Sequence, residues 1–327
     1  MKKIGLTLLI MLLLVACSNS KTNENSNKIK IGVLQLMDHE SLNEAYDGFK
    51  QGLADSGFDE SKVEFDYQNP NNDRNSLATM AQVLVNEEPE LILAIGTGAA
   101  QALQQETKEI PIIGTAITDY LEVGLVESNK KPGTNISGSS DFVDMDVQME
   151  LIEQFVPNVK DIGLLYTSSE ENSIVQAEAM KKVCADKGWN VNEKTISDLT
   201  MVNDTMSAFS GKIDALYIPT DNPLASSMAS IDIIAKENKI PVFVGWVSGV
   251  NDGALASVGI NYYNLGYQTG LNATKILKQE ITISELPIYF IDSENAEVFY
   301  NGETAEMINV SVPEILQTKG IDLSQSN

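Results

Sequence analysis

Residues 29–36 read Ile-Lys-Ile-Gly-Val-Leu-Gln-Leu, and the centre of this run, Ile31-Gly32-Val33-Leu34, returns as Ile162-Gly163-Leu164-Leu165 at an offset of 131. Ala54-Asp55-Ser56-Gly57-Phe58 is answered at the same offset by Ala185-Asp186-Lys187-Gly188-Trp189, and Ile110-Pro111-Ile112 by Ile240-Pro241-Val242 at 130. Ile95-Gly96-Thr97 is matched in turn by Ile218-Pro219-Thr220. One such match is within chance, but four in the same order mark two equivalent units. Two repeats are too few for a solenoid, so the repeat predicts two lobes.

The local patterns say what each lobe contains. Ile29–Leu36 is an apolar, β-branched run that reads as a strand, and Leu42, Ala45, Phe49 and Leu53 then recur at helical spacing. Val63–Tyr67 alternates, Ser76–Val85 is helical, Leu91–Ile95 reads as a buried strand, Ala99–Gln105 as a helix and Pro111–Gly114 as a strand. Strands alternating with helices predict a parallel sheet covered on both faces. The fold class is therefore α/β, with two lobes of about 100–150 residues, each large enough to bury a core. Such lobes leave a ligand cleft at the C-terminal ends of their strands. After Gly259 a helix at 264–278, an extended stretch at 287–291 and an amphipathic tail predict two further crossings and a three-crossover hinge. The first lobe is expected to span 29–140 plus about 258–285, and the second 141–257 plus about 286–327.

The N-terminus carries an export signal. Lys2 and Lys3 precede an apolar run from Ile4 to Leu14, and Leu14-Val15-Ala16-Cys17 is a lipobox. The run is too short to span a bilayer comfortably. Residues 1–16 are expected to be a cleaved signal peptide, with Cys17 the lipidated terminus and 17–28 a flexible spacer poor in apolar side chains. The body is then extracytoplasmic, held at the cell membrane through lipid alone and exposed at the surface. Removing residues 1–16 leaves 20 basic against 46 acidic residues, a formal charge of −26. Arg74 is the sole arginine, so no basic cluster exists to bind nucleic acid. With Cys17 lipidated, Cys184 has no disulfide partner.

Catalytic signatures are missing: there is no GxSxG, no HExxH, no GxxxxGK[ST] and no Cys-His pair in a fitting context. His39 is the single histidine, which leaves no set of metal ligands. No enzyme, cofactor or metal is expected. A binding cleft remains, and its candidates lie at strand ends. Gly96-Thr97-Gly98 opens a helix where free N–H groups suit a carboxylate, although a tight turn needs the same glycines. Asp221 and Asn222, with Thr220, hold the equivalent place in the second lobe. There a carboxylate can pair with a ligand ammonium or form an Asx turn that caps the next helix. Ser139, Ser140 and Asp141 stand where the chain first crosses between lobes, and Ser168, Ser169, Glu171, Asn172 and Ser173 follow the second lobe's first strand. These types bind zwitterions and also cap helices. Thr115, Thr118 and Asp119 carry the same ambiguity. His39 and Ser41 follow the first strand as pocket wall or loop partners. Trp246, Phe142 and Tyr120 fall outside regular core spacing and suit a stacking wall for an aromatic or large apolar group. With a single arginine, carboxylate capture would rely on backbone N–H and hydroxyl groups.

Several segments carry a family resemblance: IGVLQLMDHESLNEAYDGFKQGL from 31, ELILAIGTGAAQAL from 90, IIGTAITDY from 112, NISGSSDFVDMDVQMELI from 135, IGLLYTSSEENSIVQ from 162, ALYIPTDN from 215 and GALASVGINYYNLGYQTG from 253. As an ordered set they resemble the extracytoplasmic solute-binding lipoproteins of ABC importers, in the branch similar to tryptophan- and tyrosine-binding proteins. The resemblance implies a two-lobed periplasmic-binding-protein fold of the class with three crossovers. It implies a monomer that closes around an amino acid, aromatic in this branch, and passes it to a membrane permease driven by an ATPase. Two positions depart from the family pattern: Tyr120 stands where proline is frequent, and Trp246 where an acidic residue is frequent. The competing expectations are a surface lipoprotein acting as adhesin or sensor, and a receptor for a sugar or another small solute.

Overall fold

The computed structural model describes residues 28–291 and 296–325. The expected signal peptide, Cys17 and nearly all of the expected spacer lie outside the described residues. The chain begins β1 (Ile29–Gln35), α1 (Glu40–Asp55), β2 (Val63–Gln68), α2 (Arg74–Asn86), β3 (Leu91–Ile95), α3 (Thr97–Glu106), β4 (Ile112–Ile117) and β5 (Ile136–Ser140). A second run follows with α4 (Met145–Phe155), β6 (Asp161–Thr167), α5 (Glu171–Lys187), β7 (Asn190–Ile196), α6 (Val202–Ser207), β8 (Ala215–Ile218), α7 (Asn222–Ser226), α8 (Met228–Asn238), β9 (Val242–Val244), α9 (Ser248–Asn251) and β10 (Ala256–Gly259). The remainder is α10 (Tyr262–Leu277), β11 (Tyr289–Phe290), β12 (Glu297–Tyr300), α11 (Gly302–Ile308), α12 (Glu314–Lys319) and β13 (Ile321–Asp322).

The internal repeat is a repeat of topology. One sheet runs β11-β5-β4-β3-β1-β2 and the other β13-β12-β10-β9-β8-β6-β7, so the five-strand order of the first half recurs in the second. Pairing is parallel throughout except between β10 and β12. The central strands read as continuous apolar runs because helices cover both faces: all five residues of β3 are buried. On α1, Leu42, Ala45, Phe49 and Leu53 are the buried stripe, as their spacing predicts. Caps set several helix starts. The Asp73 carboxylate accepts the Ser76 N–H at 2.8 Å, and the Asn261 side chain accepts the Asn264 N–H at 2.8 Å.

Three crossings join the lobes. The first follows β5, since α4 packs on α5 and β10. The second follows β10, since α10 returns to pack along α1, β4 and β5. That return depends on glycine: a Cβ on Gly266 would collide with the carbonyl of Ala45. The third lies between β11, which pairs with β5, and β12, which pairs with β10. Two expected boundaries shift accordingly. Residues 258–259 belong to the second sheet through β10. Residues 286–290 belong to the first lobe, where the Ser137 hydroxyl donates to the Leu286 carbonyl at 2.6 Å and β11 extends the sheet.

Candidate functional site

The strand ends of both sheets meet between the lobes. Asp141, on the first crossing, is 4% exposed. Its Oδ2 accepts the hydroxyl of Tyr262 at 2.9 Å, and its Oδ1 is buried with no hydrogen-bonding partner. Burial pushes the carboxyl pKa up, and the hydroxyls of Tyr262 and Thr118 partly offset this by favouring the charged form. Tyr262, the first residue of α10, is itself pushed well above the usual phenol range by burial and by the Asp141 charge, so it stays protonated and donates.

Asp141, Tyr262, Thr118 and Ala116 face His39 and Ser41 from the first lobe and Asn172, Thr220, Asn222 and Trp246 from the second around one enclosed cavity. The space in it where a water molecule can be centred is about 10 Å³, roughly one solvent site. Trp246 is 2% exposed and fills much of the wall, with its Nε1–H unpartnered. Ala116 has φ of 54°, the left-handed region, at a shift in the β4–β5 register between Gly114 and Ile117. Outside the cavity a wider groove of about 1070 Å³ opens at the mouth of the cleft, lined by Leu36, Asp38, Arg74, Gly98, Ser169 and Glu170 among others.

Hydrogen bonds close the lobes on each other. His39 Nε2 lies 3.1 Å from Asn222 Oδ1, and the Ser41 and Ser248 hydroxyls are 2.9 Å apart. At the rim, the Gln101 amide donates to Glu171 at 2.6 Å. Asn222 Nδ2 donates onward to Glu170 Oε2 at 2.6 Å. Burial, and then the neighbouring charge of Asp221, push the Glu170 carboxyl to about 7.

Nine of the expected site residues line the cavity: His39, Ser41, Thr118, Asp141, Asn172, Thr220, Asp221, Asn222 and Trp246. Asp221 does so without a free bond. The Thr167 N–H and Leu224 N–H donate to it at 2.7 and 3.0 Å, and the Thr167 and Ser173 hydroxyls at 2.8 Å each. It caps α7 and ties β6 to β8, so the Asx reading applies and the open carboxylate is Asp141. Ser173 is engaged by the same bond and stays outside the lining.

Gly98 and Ser169 face the outer groove. Gly96, with φ of 94°, makes a tight turn, and the Leu36 side chain packs against Gly96 and Gly98. The small residues there admit Leu36, and the buried Thr97 lies outside the cavity lining. Thr115 is also buried outside the lining, with its hydroxyl unpartnered. The Ser140 hydroxyl donates to the Thr118 carbonyl at 2.6 Å and accepts the Phe142 N–H at 3.1 Å, which braces the crossing. Phe142 is half-buried and lies outside the cavity lining. Tyr120 is fully buried and donates to the Ser139 carbonyl at 3.1 Å; it belongs to the core. Tyr262, Glu170, Ala116 and Ser248 were not singled out from sequence. Cys184 is buried, and no group of three or more His, Cys, Asp or Glu that could hold a metal occurs among the described residues. No helix among them is long and apolar enough to cross a membrane.

Residues 30–322 match the family model of the ABC transporter substrate binding protein. The chain belongs to this family. It is 39% identical over 293 residues to the tyrosine-binding protein of Clostridioides difficile strain R20291, covering 89% of this chain and 84% of that protein. The crystal structure of an ABC domain in complex with L-Trp from Streptococcus pneumonia superposes with a TM-score of 0.86 at 34% identity, covering 90% of this chain and 98% of the other. A ligand-free, open substrate binding protein with adhesive properties from Clostridium difficile is 41% identical with the same coverage, yet its TM-score is 0.69. Higher identity with poorer superposition is what a change in lobe closure produces. The bonds across the cleft put the present structure on the closed side.

Proposed function

We propose that this substrate-binding protein captures an aromatic amino acid between its lobes and delivers it to the permease and ATPase of an ABC importer. The observation that carries the proposal is the buried Asp141 carboxylate with an unpartnered oxygen in the interlobe cavity. A ligand ammonium supplies both the missing donor and the missing charge, and such a pair is strong once desolvated. Trp246 supplies an apolar ring beside it. The relatives named for tyrosine and bound to L-Trp support the same side-chain class.

Capture needs no covalent chemistry. The ligand touches both lobes only when they are closed, so it favours the closed state by its differential affinity for the two states. The lipobox at Leu14–Cys17 supports export and anchoring at the membrane by lipid on Cys17, with the receptor acting as a monomer outside the cytoplasm. The test is a thermal-shift panel of the twenty amino acids and common sugars on refolded, ligand-stripped protein. A ligand at about 100 times its Kd stabilises by roughly 2.7 kcal/mol. A selective rise with tyrosine, tryptophan or phenylalanine is expected; a response confined to sugars contradicts the proposal.

The relative with adhesive properties favours a second, compatible reading, adhesion at the cell surface. Attachment that persists after Asp141→Asn would separate it from solute capture.

A further inference from the structure

Glu170, Asn222 and His39 form a hydrogen-bonded chain that runs from the outer groove, through the second lobe, to the first lobe's wall of the cavity. The direction of each bond follows from the chemistry of its end. An ionised carboxylate only accepts, so the Asn222 amide must turn its Nδ2 toward Glu170 Oε2, as observed at 2.6 Å. Its Oδ1 is then the atom left for His39 at 3.1 Å, and an amide oxygen only accepts. His39 Nε2 must therefore carry the proton. Burial lowers the imidazole pKa, so the ring is neutral and its other nitrogen is bare. That nitrogen, Nδ1, is buried without a partner.

We propose that Glu170 is a positioning residue for ligand recognition: acting through Asn222, it holds His39 as the Nε2–H tautomer, so that His39 Nδ1 faces the ligand as a hydrogen-bond acceptor. The ligand group it takes is an N–H or O–H donor, an ammonium or a phenol. The proposal rests on the receptor reading above for its ligand, but the tautomer itself is set without one.

The chain is also sensitive to protons. Asp221 is held by four hydrogen bonds and so keeps the negative charge, and Glu170 beside it takes the proton near neutrality. A protonated Glu170 can donate to Asn222 Oδ1 if the amide turns over. Asn222 Nδ2 then donates to His39 Nε2, and the ring proton resides on Nδ1. One proton is taken from solvent at Glu170, the ring proton changes nitrogen without a change in the ring's charge, and the acceptor in the cavity becomes a donor. The charged groups around the chain are Asp221 beside Glu170, Asp38 beside His39, Asp141 in the cavity that His39 and Asn222 line, Glu171 on α5, Asp73 and Arg74 across the groove and Asp198 after β7. Four of these seven are carboxylates placed along the groove rather than in the chain, and among the described residues no cation is hydrogen-bonded to Glu170 to hold it ionised.

His39 is the single histidine, so a long-range ¹H–¹⁵N spectrum of histidine-labelled protein reports its tautomer without assignment. At pH 8 the wild type is expected to show Nε2–H with Nδ1 bare, before any ligand is added. Glu170→Gln, which imposes no direction on the amide, is expected to give a mixture of tautomers. L-tyrosine, with its binding followed independently by calorimetry, is expected to move the Nδ1 resonance. A parallel shift with L-phenylalanine assigns the contact to the ammonium, and none with L-phenylalanine assigns it to the phenol. An Nδ1–H tautomer in the wild type at pH 8, or pure Nε2–H in Glu170→Gln, overturns the positioning role. An unmoved Nδ1 in a complex that calorimetry shows to have formed overturns the acceptor role. Failure of every amino acid to bind would instead count against the receptor reading and leave the tautomer result standing. Should Glu170→Gln not fold, the wild-type tautomer followed from pH 8 to 6.5, across the Glu170 titration, decides: conversion toward Nδ1–H is expected, and an unchanged Nε2–H ring throughout overturns the proton-dependent step.

Discussion

The Tyr262 hydroxyl donates to Asp141 Oδ2 across 2.9 Å, and this bond joins the first crossing between the lobes to the start of the helix that follows the second. It leaves Asp141 Oδ1 as the open atom in the cavity. The hinge and the ligand seat are thus built from the same two residues. Tyr262→Phe removes one bond to a charged group, a contribution of about 1.5–3 kcal/mol. Amino-acid affinity is expected to fall about tenfold or more, measured by calorimetry, with the fold retained.

Asp221→Ala is expected to act on stability. It strips a buried cap from α7 and leaves two backbone N–H groups and two hydroxyls without their acceptor. A loss on the order of 3 kcal/mol is expected in denaturant melts of ligand-free protein. An unchanged midpoint would contradict the structural role.

Glu170 makes stability depend on pH. Its folded pKa of about 7 lies above the ordinary value of 4.5, so the native state binds the proton more tightly than the unfolded chain. Its contribution is therefore fully present below about pH 4.5 and is lost as pH rises through 7. The span amounts to roughly 3 kcal/mol. Ligand-free wild type should lose stability on going from pH 5 to 8 more steeply than Glu170→Gln in paired urea melts.

Trp246 must move or the lobes must part for an aromatic ligand to enter, because the closed cavity has room for about one water. Trp189 is the other tryptophan. In Trp189→Phe, L-phenylalanine, which adds little fluorescence of its own at tryptophan wavelengths, should change the emission of Trp246. Calorimetric binding with constant emission would place the ligand elsewhere.

The lobes were legible because buried parallel strands leave continuous apolar runs, and the duplication wrote the same runs twice, at Ile31–Leu34 and Ile162–Leu165. The cleft was legible for the same reason, since topology sends the C-terminal ends of the parallel strands to it. What each polar residue does there was less legible. Asp141 and Asp221 are both acidic residues after a strand, and both invite the same two readings. Only the donors around them differ, and apart from the local Leu224 N–H those come from Tyr262, Thr167 and Ser173, all distant in sequence. Glu170 was passed over among the hydroxyls of its loop, because its partner Asn222 is 52 residues away. Tyr262 falls before the helix expected at 264–278 and begins it in the structure, and Ala116 has no composition signal for a positive φ. Gly96 and Gly98 looked like an anion seat because a turn that admits Leu36 needs the same small residues.

Calorimetric titration of L-tyrosine, L-tryptophan and L-phenylalanine into refolded wild type and Asp141→Asn tests the central claim most directly. The substitution keeps the shape and removes the charge that pairs with the ammonium, at a cost of about 2–5 kcal/mol for a buried pair. The prediction is saturable binding of at least one of the three to the wild type, and affinity at least about 30-fold weaker in an Asp141→Asn protein that melts no earlier when ligand-free. Wild-type affinity in a folded Asp141→Asn protein would contradict the assignment of Asp141 as the ammonium site.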